Sequence, residues 1–331
     1  MELLWWIIVF IVSLVLLVKG ADWLVDSSEK IGLIVGFSPF VVGVTIVALG
    51  TSLPELATSI AAVVKNTTEV VSANVVGSNI ANILLVLGIS ALAAGKLIIS
   101  RSLIDIDLPL VLMSSFLFLG TAWDKVINRK EGILLLIAFL VYLVYTILQR
   151  KGKEEAKEVS ILSARVMKER EKIEKQTQKT KPEFSWKIIL FLGLGIIGLT
   201  LGAKYTIEST IKISDILKIA PSIIAITAIA VGTSLPELIV SARSARKGKH
   251  EIAVGNVLGS NIFNVLLVIG IPALIKNLAI DHQTLSLGMP VFIIATLFFV
   301  ISGISQRFHK WEGAMYLVIY IFFIGKLFNL F

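Results

Sequence analysis

The 331-residue sequence has no cysteine and only three histidines. The first absence excludes disulfides, thiol chemistry and thiolate metal sites. The histidines, His250, His282 and His309, all fall in predicted loops, which argues against an imidazole site at membrane depth. Charge is sparse as well: 16% of residues are Asp, Glu, Lys or Arg, against 56% hydrophobic, and the mean hydropathy of +0.89 is too high for a soluble domain. There is no GxSxG, no HExxH and no Ser/His pair at membrane depth, so an intramembrane enzyme is the least supported class.

What the chain does have is long apolar blocks of roughly 18 to 27 residues, the length a helix needs to cross about 30 Å of hydrocarbon. Ten spans are expected, near 4–25, 38–64, 71–94, 104–122, 132–149, 187–208, 221–245, 252–275, 286–303 and 312–329. The fold class is therefore an all-α polytopic membrane protein. All six tryptophans (Trp5, Trp6, Trp23, Trp123, Trp186 and Trp311) sit at or beside a predicted span end, where an amphipathic ring suits the headgroup region. The opening MELLWWIIVF has an acidic residue and no basic one before its apolar run, so the first span is expected to be retained and not cleaved as a signal peptide.

The net charge of +8 is concentrated: 12 of the 31 Lys and Arg lie between Arg150 and Lys187. By the positive-inside rule that segment is expected to be cytoplasmic, which puts both termini outside a cell membrane. The other loops are balanced and do not decide the orientation. Residues 150–185 read as a charged, solvated tether between two halves, 1–149 and 186–331.

Those halves repeat one another. Residues 39–88 align without a gap on 221–270 at an offset of 182, with 24 identities in 50 positions. Ala48-Leu49-Gly50-Thr51-Ser52-Leu53-Pro54-Glu55-Leu56 returns as Ala230-Val231-Gly232-Thr233-Ser234-Leu235-Pro236-Glu237-Leu238. The run from Asn74 to Asn82, containing Gly77-Ser78-Asn79, returns as Asn256 to Asn264, containing Gly259-Ser260-Asn261. Five spans per half is an odd number, so the second half is expected to enter the membrane from the opposite side, giving two inverted five-helix repeats.

Each repeat buries a Pro and a Glu near the middle of an apolar helix. Pro54 and Pro236 lack an N–H, so carbonyls around Ala48 to Thr51 and Ala230 to Thr233 can lose their helical partners. A carboxylate at helix centre costs at least roughly 2.5 kcal/mol on insertion scales, so Glu55 and Glu237 require a polar interior or a cation. No basic residue stands in either motif. The available donors are carboxylate, carbonyl, hydroxyl and amide oxygens, which suit calcium or sodium, whereas zinc or copper favours imidazole or thiolate. The spacing puts Ser78 with Asn82, and Ser260 with Asn264, at i and i+4 on one helix face, with Gly77 and Gly259 permitting close approach. Asn79 and Asn261 lie off that face and read as helix-to-helix hydrogen bonders, and Asp22, Asp26 and Glu29 as solvated residues at a span end.

At these residues the sequence resembles the calcium/cation antiporter superfamily, and within it the prokaryotic sodium/calcium exchangers: GTSLPE in spans 2 and 7, GSNxxN in spans 3 and 8, and a hydrophilic loop between two sets of five spans. The resemblance implies four cation sites at mid-membrane. Glu55 and Glu237 with the carbonyls of Thr51 and Thr233 would bind calcium. The carbonyls of Ala48 and Ala230, with Ser52, Ser78, Ser234 and Ser260, would form the flanking sodium sites, and Asn82 and Asn264 would line the remaining central position. It further implies three sodium ions exchanged for one calcium, spans 1 and 6 sliding across the other eight, transported ions as the only ligands, and no obligate protein partner. Two departures are notable. Some members carry Asp where this chain has Asn264, and the lack of an acid there argues against potassium dependence. Ala73 stands opposite Gly255. The loop is too short for the calcium-sensing domains of animal exchangers. A calcium/proton antiporter and, from another class, a cation channel remain open alternatives, because a buried Glu can exchange a proton and a channel can use the same oxygen cage.

Overall fold

A computed structural model describes residues 2–99, 107–148, 184–217 and 234–328. Among these the chain is a set of packed helices: α1 (Glu2–Val35), α2 (Pro39–Val64), α3 (Glu69–Ala94), α4 (Asp107–Thr121), α5 (Arg129–Leu148), α6 (Trp186–Ile216), α7 (Leu235–Arg246), α8 (His250–Ile275), α9 (Thr284–Ile304) and α10 (Lys310–Leu327). Seven are long and apolar enough to cross a membrane: α1, α2, α3, α5, α6, α8 and α9. The apolar α4 is 15 residues long, and α10 carries Lys310, Glu312 and Lys326 near its ends. The expected span 221–245 is represented by α7, its earlier part lying outside the described residues.

Two expected boundaries are corrected. Helix α1 runs to Val35 and not to residue 25, and α6 runs to Ile216 and not to residue 208. Hydropathy falls where charges begin, but backbone hydrogen bonding continues wherever those charges are solvated or paired. At 34 residues α1 is about 51 Å long, more than a perpendicular crossing needs. Trp23 lies well inside α1, its ring 5.9 Å from that of Phe191. Trp5, Trp123, Trp186 and Trp311 are exposed, as interfacial rings are.

Helices α1 and α6 lie against each other through matched glycines. A Cβ on Gly20 would come within 2.7 Å of the Leu199 nitrogen, and one on Gly202 within 2.7 Å of the Leu17 nitrogen. Both pairs obey the 182-residue offset, so the two helices make the same contact reciprocally. Their apolar faces (Leu17, Ala21, Leu24, Val25, Leu199, Ala203) form a small hydrophobic cluster with Val42, Val47, Leu235, Val240 and Ile252. It is separate from the large cluster that α3, α4, α5, α9 and α10 share with parts of α2 and α8.

Two short antiparallel ladders join the ends of the helices. β1 (Lys96–Ile98) pairs with β4 (Arg307–His309), and β2 (Val126–Ile127) pairs with β3 (Leu278–Ala279). The register aligns Leu97 with Phe308 and Ile127 with Leu278. Shifting either ladder by the repeat offset reproduces the register of the other. Because α4 separates β1 from β2, the two ladders lie at opposite ends of that helix.

The crossing of α2 with α8 is tight. A Cβ on Gly259 would meet the Val44 carbonyl and the Ala48 Cβ at 2.6 Å. Gly259→Ala should therefore force the helices apart and cost about 1–3 kcal/mol, as overpacking does. Thermal unfolding of the purified protein in detergent checks it: a clearly lowered Tm is expected, and a wild-type Tm would contradict this packing.

Candidate ion-binding site

Helices α2, α3, α7 and α8 bring the repeated motifs together. Thr51, Ser52, Glu55, Ser78, Asn82, Ser234, Glu237, Ser260 and Asn264 are all buried, as is Ala48. Thr233 and Ala230 lie outside the described residues. Within α2, Pro54 interrupts the hydrogen-bond ladder one turn after Gly50, and a π-helical turn, Gly43–Val47, immediately precedes Ala48. Further π-helical turns begin at Asn82 and at Asn264, the paired amide positions of the two repeats. Such turns redirect side chains and recur at functional sites. They were not anticipated, since neither Asn-Ile-Leu-Leu-Val nor Asn-Val-Leu-Leu-Val differs in composition from an ordinary apolar helix.

Contacts across the repeats are direct. Ser52 Oγ donates to Glu237 Oε1 at 3.3 Å. Thr51 Oγ1 donates to the Ala48 carbonyl and to Asn256 Oδ1, each at 3.2 Å, and lies 3.4 Å from Ser260 Oγ. Ser52 is one turn before Glu55, so the two carboxylates approach each other across the α2–α7 contact. Asn264 Nδ2 donates to Asn79 Oδ1 at 3.0 Å, and Asn79 Nδ2 donates to the carbonyl of its own repeat counterpart, Asn261, at 3.1 Å. The role expected for Asn79 as helix-to-helix hydrogen bonder therefore holds, whereas Asn261 Nδ2 donates to the Val257 carbonyl of its own helix at 2.7 Å. Asn256 and Asn74 were not singled out, although each stands at the same place in its repeat. Asn74 Nδ2 donates to Ser59 Oγ at 3.3 Å, and Asn256 Nδ2 to Ser241 Oγ at 2.9 Å.

Several polar atoms in this cluster have no partner among the described residues: both carboxylate oxygens of Glu55, Oε2 of Glu237, both amide atoms of Asn82, Oδ1 of Asn264 and of Asn261, and Oγ of Ser234. Buried oxygens that find no donor carry a desolvation cost that a cation can offset. Among the described residues no three His, Cys, Asp or Glu side chains converge as a metal cluster. The charge here comes from two carboxylates surrounded by neutral oxygens, the chemistry of a hard cation that can leave again. A cavity of about 690 Å³ adjoins the site, with Pro54, Asn74, Ser78 and Ser234 in its wall and Lys204, Asp281 and Gln283 also lining it. Burial works against the Asp281 charge, but hydrogen bonds from the Thr284 side chain and backbone outweigh it and hold the carboxyl below its ordinary pKa.

Asp22, Asp26 and Glu29 are not simply solvated. Asp22 accepts two hydrogen bonds from Arg243, at 2.9 and 2.7 Å, and one from Lys247 at 2.7 Å. Lys249 bridges Asp26 at 3.0 Å and Glu29 at 2.8 Å. Burial lowers the affinity of Lys249 for its proton, but these hydrogen bonds prevail and hold its pKa above the ordinary value. Hydropathy could not find these pairs because the partners are more than 200 residues apart. They tie α1 to the α7–α8 turn.

The family model described as "Sodium/calcium exchanger protein" matches residues 5–148 and 187–328. The chain belongs to the sodium/calcium exchanger family. Among its relatives, sodium/calcium exchanger MaX1 of Methanosarcina acetivorans is 33% identical, the match covering 97% of this chain and 98% of that one. Inner membrane protein YrbG of Escherichia coli is 31% identical over 88% of this chain and 86% of its own. Among solved structures, the sodium-calcium exchanger NCX_Mj soaked with Na+ and Sr2+ superposes with a TM-score of 0.77 at 29% identity, covering 98% of this chain and 99% of that one. The exchanger described here is thus a polytopic membrane transporter, and the family transports sodium and calcium ions.

Proposed function

We propose that the protein is a secondary active antiporter that exchanges calcium for sodium by alternating access. The observation that carries this is the pair of buried carboxylates, Glu55 and Glu237, set among unpartnered oxygens. Calcium takes 6–8 oxygen ligands in a flexible cage, and two carboxylates neutralise it. Glu55, Glu237 and the Thr51 and Thr233 carbonyls form the calcium position. Ser52, Ser78, Ser234 and Ser260, with the Ala48 and Ala230 carbonyls, form the flanking sodium positions, and Asn82 and Asn264 the remaining central one. Ten spans in two inverted repeats, 1–149 and 186–331, with 150–185 as a cytoplasmic linker and both termini outside the cell membrane, complete the reading. The offset-related registers of the two ladders and the reciprocal Gly20 and Gly202 contacts support the repeat. Calcium uptake into sodium-loaded proteoliposomes tests the function. Uptake driven equally by a proton gradient without sodium would overturn the choice of counter-ion.

Exchange should be electrogenic and indifferent to potassium. Two carboxylates neutralise one calcium, but three sodium ions leave a residual positive charge, so membrane potential biases one half-cycle. An inside-positive potential should speed calcium entry, which carries one net positive charge outward, and slow sodium entry, and potassium should change neither. Uptake rates under valinomycin-clamped and ionophore-free conditions check it. Flux unaffected by potential would contradict a three-for-one exchange. Asn264 bears on the same point: its Nδ2 donates to Asn79 Oδ1, so Asp at 264 would set two oxygens against each other.

A further inference from the structure

Asn256 is buried at full depth and touches no candidate carboxylate. Its amide is nonetheless the centre of a chain of hydrogen bonds that crosses between the repeats. Ser241 Oγ donates to the Ala253 carbonyl at 3.4 Å, so its proton is already committed and it meets the Asn256 Nδ2–H, at 2.9 Å, with a lone pair. That contact fixes which way the amide faces. Oδ1, which has no proton, is turned to Thr51 Oγ1 at 3.2 Å and can only accept. The single Thr51 hydroxyl proton thus has acceptors in Asn256 Oδ1 and the Ala48 carbonyl, with the Glu237 carboxylate also beside it. It is not available for Ser260, and the 3.4 Å contact between Thr51 Oγ1 and Ser260 Oγ is filled by the Ser260 proton.

We infer that Asn256 is a positioning residue that sets the direction of these hydroxyl protons, so that Ser260 faces the cation with lone pairs and not with its proton. The inference rests on the sodium/calcium reading of the site. A hydroxyl is a useful ligand for a cation only when its proton points away, and a buried hydroxyl has few ways to ensure that. The amide supplies one: a donor on one side held by Ser241, an acceptor on the other aimed at Thr51. Asn74 repeats the donor half of this arrangement in the first repeat, donating to Ser59 Oγ, the counterpart of Ser241. Sodium should feel the device more than calcium, because a flanking position made of hydroxyls and carbonyls relies on dipole orientation, whereas calcium draws its stabilisation from Glu55 and Glu237.

The test uses the full chain in proteoliposomes, with sodium and calcium titrated separately as probes of exchange. Wild type is measured first; calcium transport without sodium dependence there would overturn the functional reading itself, before any variant is considered. Asn256→Leu should raise the sodium half-saturation concentration about tenfold, the value of a well-made hydrogen bond, while calcium changes less than about threefold. Ser241→Ala, which touches no ion and leaves Asn256 in place but free to turn, should move sodium in the same direction by about threefold. Ser241→Thr, which keeps the hydroxyl, should restore the wild-type value. If Asn256→Leu does not fold, the two Ser241 variants carry the test. Unchanged sodium affinity in Ser241→Ala would overturn the inference. So would sodium and calcium affinities falling by equal factors together with the Tm, which is what helix-to-helix glue alone predicts.

Discussion

Replacing Glu55 or Glu237 with Gln should reduce sodium-driven calcium uptake by at least about a hundredfold, because divalent charge taken from water has to be met by fixed charge in the site. Gln keeps the volume of Glu and removes only the ionisable oxygen. The packing around Glu55 and Glu237, both fully buried, should survive. The variants should therefore melt no lower than wild type in calcium-free buffer. Adding calcium should raise the Tm of the wild-type protein and leave both variants unmoved, since a ligand stabilises only the form that binds it. A variant that transports calcium at near-normal rate would sink the assignment of the central site. One that loses both transport and thermal stability would show the carboxylate to be structural.

The second large effect concerns motion. Helices α1 and α6 meet through Gly20 and Gly202, and their apolar cluster also takes in Val42, Val47, Leu235, Val240 and Ile252 of α2, α7 and α8, the contacts that sliding of the pair would have to break. Ion pairs from Asp22, Asp26 and Glu29 to Arg243, Lys247 and Lys249 tie one end of α1 to the α7–α8 turn. The repeat counterparts of Asp22 and Arg243 are Lys204 and Ala61, so that pair is not reproduced in the other repeat. Exposed pairs of this kind are worth little individually, up to about 1 kcal/mol each, and they can break and reform during a cycle. A covalent tie cannot. In this cysteine-free chain, Asp26→Cys with Lys249→Cys, bridged by a reducible dithiol reagent, should stop exchange, and reduction should restore it. The control pair, Lys96→Cys with His309→Cys, joins partners in the β1–β4 ladder and should be tolerated. Full exchange with α1 tethered would refute sliding while leaving the ion site intact.

Much of the fold and most of the candidate residues were legible because the chain states its pattern twice. A carboxylate beside a proline in an apolar run is a physical anomaly, and finding it at Glu55 and again at Glu237 marks both as candidate ion ligands without any coordinates. The serines and amides of the GSN motifs followed from i, i+4 geometry, and they are buried together as that geometry requires. What could not be read depends on partners distant in sequence. Asp22 looks like a solvated residue until Arg243 is placed beside it, and Asn256 looks like packing until Thr51 and Ser241 stand on either side of it. Helix ends at Val35 and Ile216 were missed for a related reason: hydropathy records the cost of charge, not its compensation. The π-helical turns at Asn82 and Asn264 have no compositional signature.

The two ladders also set a timetable for biosynthesis. Strand β1 emerges early, but its partner β4 is made about two hundred residues later, and β2 waits likewise for β3. Until then the first half leaves the ribosome with two open strand edges that nothing within itself can close, since each pairs only with the second half. Closure therefore waits on the second half: Leu278–Ala279, the partner of Val126–Ile127, is made first, and Arg307–His309, the partner of Lys96–Ile98, last. A nascent chain stalled before that point would be inserted yet unfinished, exposing edges that invite the wrong neighbour or a quality-control protease.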